Sequence, residues 1–515
     1  MRLLLLKNTW QTCNIFNTLK ETQMDLKKFY KEQRAQEWRA TIRKDIKTKE
    51  RVSKTRTEML EQDPNIRNKN GLEVNLGLTE RMAIEEAKRC IDCPDPTCIS
   101  GCPVNIYIPK FIKKIEIGDF LGAAQVLKET NSLPAVCGRV CPQEKQCEAN
   151  CFYTIKLGQP PVAIGFLERF AADYEQNSGK MAVPEIAESN GIKVAAVGSG
   201  PASLAWATDM ARWGYDVTVF EALHEIGGVL KYGIPDFRLP NSVVDVEIEN
   251  VRSMGVKFVT NFVVGKTASI EDLREQGFEA FFVASGAGLP RFMNIPGENF
   301  NGIFSANEFL TRINLMGAAK EDYDTPVSLG KNIAVIGGGN TAMDSVRMAK
   351  RIGAERAMIV YRRTREEMPA RLEEVHHAVE EDIEFLNLNN PVEYLADEKG
   401  KVTHMVLQKM ELGEPDDSGR RRPIPIEGSE YKVPVDVVVV AVGVSPNPLI
   451  PASVKGLKTT KWGTIVVNDD FQTSIEDIFA GGDIVRGGAT VILAMGDGRD
   501  AATGMDEYIK NKIKK

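Results

Sequence analysis

Lys193-Val-Ala-Ala-Val-Gly198-Ser-Gly200-Pro201-Ala202-Ser203-Leu204 carries the signature of a dinucleotide fold. Its first five residues read as a buried strand, and Gly-x-Gly-x-x-Ser then opens a helix. Gly198 and Gly200 permit a tight turn and close backbone approach, so a pyrophosphate can rest on the helix N-terminus. Ser203 departs from the usual third glycine but is small enough to let helix and strand approach. The next strand, Asp216-Val-Thr-Val-Phe220, ends in Glu221, 23 residues after Gly198, where an acid grips an adenosine ribose. Strand, glycines, helix, strand and acid stand in register, which a chance run of glycines would not do.

A second copy begins at Lys331. The strand Asn332–Ile336 leads to Gly337-Gly338-Gly339-Asn340-Thr341-Ala342, and the following strand, Ala357–Tyr361, ends in Arg362-Arg363-Thr364-Arg365 instead of an acid. A carboxylate repels a 2′-phosphate, whereas an arginine fork binds one with charge-assisted bonds. The second motif (Gly337, Gly339, Asn340, Thr341, Arg362 and Arg363) is therefore expected to hold NADPH in preference to NADH. The first (Gly198, Gly200, Pro201, Ala202 and Glu221) is left for FAD. From residue 190 to 510 strands alternate with helical patterns, which predicts doubly wound parallel sheets. The fold class is α/β, with two Rossmann-like dinucleotide-binding domains behind an α-helical domain.

Ahead of these folds lies a thiol block, Cys90-x2-Cys93-x4-Cys98-x3-Cys102-Pro103 and Cys137-x3-Cys141-Pro142-x4-Cys147-x3-Cys151, with eight of the nine cysteines. Disulfides need an oxidising compartment, and nothing here calls for one: four apolar residues after Met1-Arg2 are too few for a signal-peptide core. Zinc is a second alternative, but C-x2-C occurs once where a zinc ribbon has two. C-x2-C followed by more cysteines and Cys-Pro is the texture of iron–sulfur ligation.

Apolar content of 43%, charged content of 26% and a net charge of −6 describe an ordinary globular protein and argue against nucleic acid as partner. No run is long enough to span a bilayer, and a cytoplasmic location is expected. Residues 25–58 carry twelve Lys or Arg against six acids. They read as a solvated helical extension, with a tether for an acidic partner as the alternative, and Met24 is a candidate start. The expected domains are a basic helical extension (1–70), an α-helical domain with two 4Fe–4S clusters (71–185), an FAD-binding domain (186–325 with 455–515) and an NADPH-binding domain (326–454). His376-His377 read as exposed helix residues, and no side-chain acid–base pair is assigned.

From about residue 58 onward the chain resembles the glutamate synthase small-subunit family. That family shares its architecture with the large subunit of NADH-dependent reduced ferredoxin:NADP oxidoreductase and the N-terminal half of dihydropyrimidine dehydrogenase. The resemblance rests on Glu73–Gly77, Glu86–Cys90, Gly101–Val104, Gly138–Gln143, Ala163–Gly165 with Glu168–Phe170, Gly227–Pro235, Phe237–Pro240, Gly337–Asp344, and Tyr361–Thr364 with Met368–Ala370. It implies interleaved clusters: Cys90, Cys93, Cys98 and Cys151 for one, and Cys102, Cys141, Cys147 and a non-cysteine ligand, here Glu168, for the other. Cys137 is then a buried bystander. It also implies FAD contacts from Gly228, Arg238, Gly482, Asp483 and Thr490, since chains of this build return to the flavin domain at Asp477–Ala480 and open a last helix at Val491.

The region after Cys151 lacks cysteine, so there is no dithiol beside the flavin, and electrons are expected to pass through the clusters or go straight to a small acceptor. The resemblance implies an electron-input subunit of NADPH-dependent glutamate synthase, partnered by a large subunit. Two alternatives stand beside it. One is the large subunit of an electron-bifurcating ferredoxin:NADP oxidoreductase, partnered by a small flavin/iron–sulfur reductase subunit; the other is an electron-transfer scaffold without turnover of its own.

Overall fold

The computed structural model describes residues 23–513 apart from 321, 329 and 418. The Met1–Lys7 stretch and Cys13 lie outside them. Three helices come first: α1 (Gln23–Ala35), α2 (Glu37–Asp45) and α3 (Thr48–Val52). The thiol-bearing domain follows, built on α4 (Glu80–Ala87), α5 (Ile108–Glu116), α6 (Phe120–Lys128), α7 (Pro134–Val140) and α8 (Ile164–Ser178). Thr79 caps α4 by accepting from the Met82 N–H, and Ala83 and Ala87 are buried on one face. The stretch 108–127, a single helical run by its spacing, breaks at Gly118, whose φ of +77° ends α5, before Asp119 caps α6. Phe111, Ile112 and Ile115 are fully buried between these helices, each stabilising the domain by about 2 kcal/mol.

Two five-stranded parallel sheets form the rest of the frame. The first contains β1 (Lys193–Val197), β2 (Asp216–Phe220), β3 (Lys257–Val259) and β4 (Phe278–Val283). The second holds β5 (Ile303–Ser305), β6 (Asn332–Ile336), β7 (Arg356–Tyr361) and β8 (Glu384–Asn387). Between residues 389 and 434 the chain departs into an antiparallel meander of four strands, where the sequence pattern had called for further parallel strands. It then returns through β9 (Val437–Val440) to complete the second sheet, ordered β8-β7-β6-β9-β5, and through β10 (Ile478–Ala480) to complete the first, ordered β10-β4-β1-β2-β3. In each sheet the strand before the glycine turn is central. Strand β5 lies in the second sheet, so that unit begins before residue 303 and not at 326. A three-residue strand carries no periodicity from which its sheet could be assigned.

Helix α9 (Pro201–Arg212) follows the first glycine turn and α10 (Asn340–Arg351) the second; α11 (Leu372–Glu380) sits beside α10, and α12 (Val491–Ile513) packs on α9. A Cβ on Gly498 would lie 2.1 Å from the Ala202 carbonyl oxygen, so α9 and α12 meet backbone to backbone. Buried ion pairs join α10 and α11 to the thiol domain. Arg67 reaches Glu380 (2.5 Å) and Glu381 (3.1 Å), Arg347 and Arg351 pair with Glu381 at 2.7 and 2.8 Å, and Arg371 donates to the Arg139 carbonyl and to Gln143 Oε1. His377 is 1% exposed with Nε2 3.1 Å from Glu61, contrary to its expected place on a solvent face; His376 is exposed.

Candidate functional site

Cys90, Cys93, Cys98 and Cys151 line a single cavity, together with Ile91, Thr97, Ile112, Phe152, Tyr153 and Val162. Cys90 and Cys93 flank a turn whose Asp92 takes the left-handed φ of +53°, and Cys151 arrives 53 residues after Cys98, just before a single π-helical turn. Burial pushes the Cys93 thiol up to about 12 and raises Cys90, Cys98 and Cys151 as well. Thiolates at such sites need compensating positive charge, which a bound metal supplies.

A second gathering contains Cys102, Cys141, Cys147 and Glu168. Burial raises Cys102 and Cys147, and the hydrogen bond with Cys137 followed by burial raises Cys141; the Glu168 charge adds to all three. Glu168 is 5% exposed, accepts a hydrogen bond from Asn131 Nδ2 at 2.8 Å, and burial pushes it up to about 8. Cys137 stands beside this group. Its Sγ lies 3.7 Å from Asn131 Oδ1 and 3.5 Å from Met495 Sδ, and Cys141 is its thiol neighbour. All eight described cysteines are free thiols. Buried thiols converging in two groups, with one buried carboxylate and no disulfide among the described residues, are a donor set that fits iron–sulfur clusters.

The second group adjoins the C-terminal helix. Besides Cys137 against Met495, the Pro103 carbonyl lies so near Gly496 that a Cβ there would meet it at 3.1 Å. That helix begins one residue after Thr490, whose Oγ1 accepts from the Leu493 N–H at 3.4 Å, and Asp483 Oδ1 accepts from the Ala489 N–H at 3.1 Å. Burial pushes Asp483 up to about 6. Two residues not singled out from sequence complete this end. Asp497, 1% exposed, accepts from the Gly482 N–H at 2.9 Å and so holds the turn before Asp483. Tyr232 stands close enough to Asp483 and Glu221 for both charges to add to the burial that pushes it up to about 12.

At the first glycine turn, Gly198 takes φ +95° with the Ala284 carbonyl where a Cβ would be, while Gly200 faces open space. That opening over the start of α9 suits a pyrophosphate. Glu221 Oε2 accepts from the Ser199 N–H (2.8 Å) and hydroxyl (2.6 Å), Oε1 accepts from Leu223 N–H, and Ser199 Oγ accepts from Gly227 N–H. Ser199 thus ties the acid to both glycine turns, a role the x of a G-x-G motif does not advertise. Gly228, at φ +56°, approaches Gly200 so closely that a Cβ would sit 3.0 Å from its Cα. Arg238 departs from expectation. Its Nη1 donates to Asp344 at 2.9 Å and its Nε lies 3.5 Å from Glu374, so it bridges to the second sheet's helices.

At the second turn, Gly337 packs on the Ala441 carbonyl, and a Cβ on Gly339 would meet the Pro369 side chain at 4.0 Å. Asn340 Oδ1 accepts from the Arg371 N–H at 2.9 Å, and Thr341 is exposed. The two arginines after β7 divide. Arg362 is exposed, whereas Arg363 is 4% exposed, donates to the Arg421 carbonyl and pairs with Asp416 at 2.6 Å. Arg363 therefore braces the meander and is not available as half of a phosphate fork.

The basic segment is neither a solvated extension nor a free tether. Arg39 and Arg43 both pair with Asp92, Arg34 Nε donates to the Asp92 carbonyl at 2.7 Å, and Arg51 donates to the Lys88 carbonyl and pairs with Glu116. Arg39 and Arg51 are each 1% exposed.

Two parallel dinucleotide folds interleaved in one chain, behind a helical domain with two thiol sets, define an iron–sulfur oxidoreductase of the two-dinucleotide-fold class. The family described as dihydropyrimidine dehydrogenase domain II, 4Fe-4S cluster, matches residues 67–180, and the pyridine nucleotide-disulphide oxidoreductase family matches residues 192–498. The glutamate synthase [NADPH] small chain of Azospirillum brasilense is 38% identical, over 85% of this chain and 92% of its own length. The chain belongs to the glutamate synthase small-chain family, as an NADPH-dependent oxidoreductase with 4Fe–4S and FAD/NADPH-binding domains. The NADP(+)-dependent formate dehydrogenase subunit beta of Moorella thermoacetica is 38% identical over 80% of this chain and 60% of its own length. Among solved structures, Mycobacterium tuberculosis FprA in complex with NADPH shares the fold, with a TM-score of 0.54 at 21% identity over 63% of this chain and 86% of that one. No helix among the described residues is long and apolar enough to cross a membrane.

Proposed function

We propose that this chain is the electron-input subunit of an NADPH-dependent glutamate synthase, working in the cytoplasm with a large subunit that receives its electrons. The observation carrying this reading is the contact of Cys137 and Pro103 with Met495 and Gly496, which puts the thiol block against the helix that opens at the flavin turn. When bound, FAD and the clusters supply the conversion between two-electron hydride chemistry and one-electron transfer. The protein's own residues do the positioning. The starts of α9 and α10 present backbone N–H groups to two pyrophosphates, Glu221 is held by Ser199 for a ribose, and Arg362 meets a 2′-phosphate. Cys90, Cys93, Cys98 and Cys151 hold one cluster, and Cys102, Cys141, Cys147 and Glu168 the other.

A second reading is supported by the formate dehydrogenase β subunit, which has the same 38% identity to this chain, though over 60% of its own length against 92% for the glutamate synthase chain. The same unit then feeds a different acceptor, such as a small flavin/iron–sulfur reductase subunit. Purification from the native cell decides between them: a co-purifying large amidotransferase-type chain supports the first, and a small reductase chain the second. The nucleotide assignment is tested by Arg362→Glu, which should reverse the preference for NADPH over NADH. An unchanged preference would sink it. Arg363→Glu should lower stability and leave that preference intact.

A further inference from the structure

We infer that the N-terminal arm, α1 to α3, is a built-in regulator of the first thiol set: its arginines neutralise Asp92 and thereby set the reduction potential of the cluster held there. This rests on the assignment of Cys90, Cys93, Cys98 and Cys151 as that cluster's ligands. Asp92 lies between Cys90 and Cys93 and is 0% exposed. A carboxylate so placed, left alone, repels any electron added to the cluster and costs several kcal/mol of desolvation. The arm answers this charge twice, through Arg39 Nη2 on Oδ1 and Arg43 Nη1 on Oδ2 at 2.5 Å, and takes the Asp92 carbonyl with Arg34.

The arm is fastened by further contacts, some of them made by Arg39 itself and others by Tyr30 and Arg51. Arg39 Nη1 donates to the Tyr107 hydroxyl (2.7 Å) and its guanidinium stands 5.1 Å from the Tyr107 ring centre; the rings of Tyr30 and Tyr107 lie 5.1 Å apart. Arg51 donates to the Ile42, Lys88 and Cys90 carbonyls, closing the arm over the Cys90 turn from its other end. Lys113, from α5, also donates to the Cys90 carbonyl. The arm also buries Phe29 and Ile42, as a simple cover would. Beyond that, it places two of its arginines on the single carboxylate inside the cysteine turn.

The sign of the effect follows from charge. Removing the arginines leaves Asp92 unpaired, and the cluster becomes harder to reduce. Removing Asp92 leaves the arginines unpaired, and it becomes easier. General disruption would not move the potential in opposite directions.

The test is a redox titration of the anaerobically purified full-length protein, followed by electron paramagnetic resonance, with the signal lost in Cys98→Ala marking the first cluster. Arg39→Gln with Arg43→Gln should lower its reduction equilibrium constant by about tenfold, or ~59 mV for one electron. Asp92→Asn should raise it by a similar factor, and the combined variant should return near wild type. The second cluster's signal and the FAD content should stay unchanged. Should the double variant fail to accumulate, Arg43→Gln, at a partly exposed position, and Asp92→Asn decide the matter by the same opposition of sign. Shifts in the same direction, or none, overturn the inference. A wild-type protein with fewer than about eight irons per chain after reconstitution would instead strike the ligand assignment.

Discussion

The two thiol sets are built from interleaved stretches of one chain, yet they occupy opposite surroundings. The first lines a cavity beneath the arm, with Cys93 and Cys98 partly exposed and Asp92 answered by Arg39 and Arg43. The second lies deeper, among the carboxylates Glu168 and Glu148, with Arg371 the cation that offsets Cys141, and abuts α12. One set therefore faces the exterior and the other the flavin end. On the proposed ligand assignment, the interleaving serves as a bridge that runs from the flavin end to the surface.

The strongest way to break this comparison is to delete one ligand from each side. Cys98→Ala should remove about four of about eight irons and leave the second cluster's spectrum intact, with NADPH still bleaching the flavin. Transfer to an external one-electron acceptor should fall at least about a hundredfold, the cost of removing a positioned relay. Cys141→Ala should do the reverse to the spectra. If either variant loses all its iron, the sets are not separable. Glu168→Ala comes next and tests whether the carboxylate belongs to the second set. Iron analysis and the second cluster's resonance should both change, while the first is untouched. A wild-type spectrum in that variant would leave Glu168 as a buried acid and nothing more.

A smaller effect sharpens the contrast in charge. Glu247, 1% exposed, accepts from the Ala135 N–H at 2.9 Å and so caps, from the flavin-domain side, the helix that carries Cys137 and leads into Cys141. Burial pushes it from 4.5 up to about 7. Below about pH 4.5 both folded and unfolded states hold its proton and burial costs nothing. Between about pH 4.5 and pH 7 the unfolded chain releases this proton while the folded protein keeps it, so this residue's contribution falls across that window and is level above it. Glu247→Gln keeps the acceptor and removes the charge. Its melting temperature should gain on wild type between about pH 5 and pH 8, the gain amounting to at most about 3 kcal/mol. A constant offset across that range would show that Glu247 is already ionised in the folded state by about pH 5, as it is in the unfolded chain.

How much of this was legible in the sequence differs between these regions for a physical reason. The glycine turns were readable because strand, turn, helix and acid are local in sequence, and each obeys its own steric rule. The destinations of Arg238 and Arg363 were not, since their partners Asp344 and Asp416 lie 106 and 53 residues further on. The arm was opaque for the same cause: twelve cations in a helical segment look solvated until Asp92 is brought beneath them. His377 was misplaced because its helix face is decided by Arg67 and Glu61, more than 300 residues upstream. The grouping of the cysteines came from resemblance, and spacing alone would have split the block in half.

Cys137 gives the smallest effect and the sharpest discrimination. It is fully buried beside Cys141, and as a fourth thiol in the second group it competes on paper with Glu168 for the fourth ligand position. Its surroundings argue against ligation: the sulfur contacts Met495 Sδ at 3.5 Å and Asn131 Oδ1 at 3.7 Å, and Asn131 also donates to Glu168. A thiol packed on a thioether behaves as a small hydrophobe. Cys137→Ala should therefore cost about 1 kcal/mol for the lost contacts and small void, read as a modest fall in melting temperature, with iron content and both resonances unchanged. Because Met495 belongs to the helix that opens at the flavin turn, the variant also probes the bridge itself. If the second cluster's signal shifts while Glu168→Ala leaves it alone, the ligand is Cys137, and both sets are held by four thiolates.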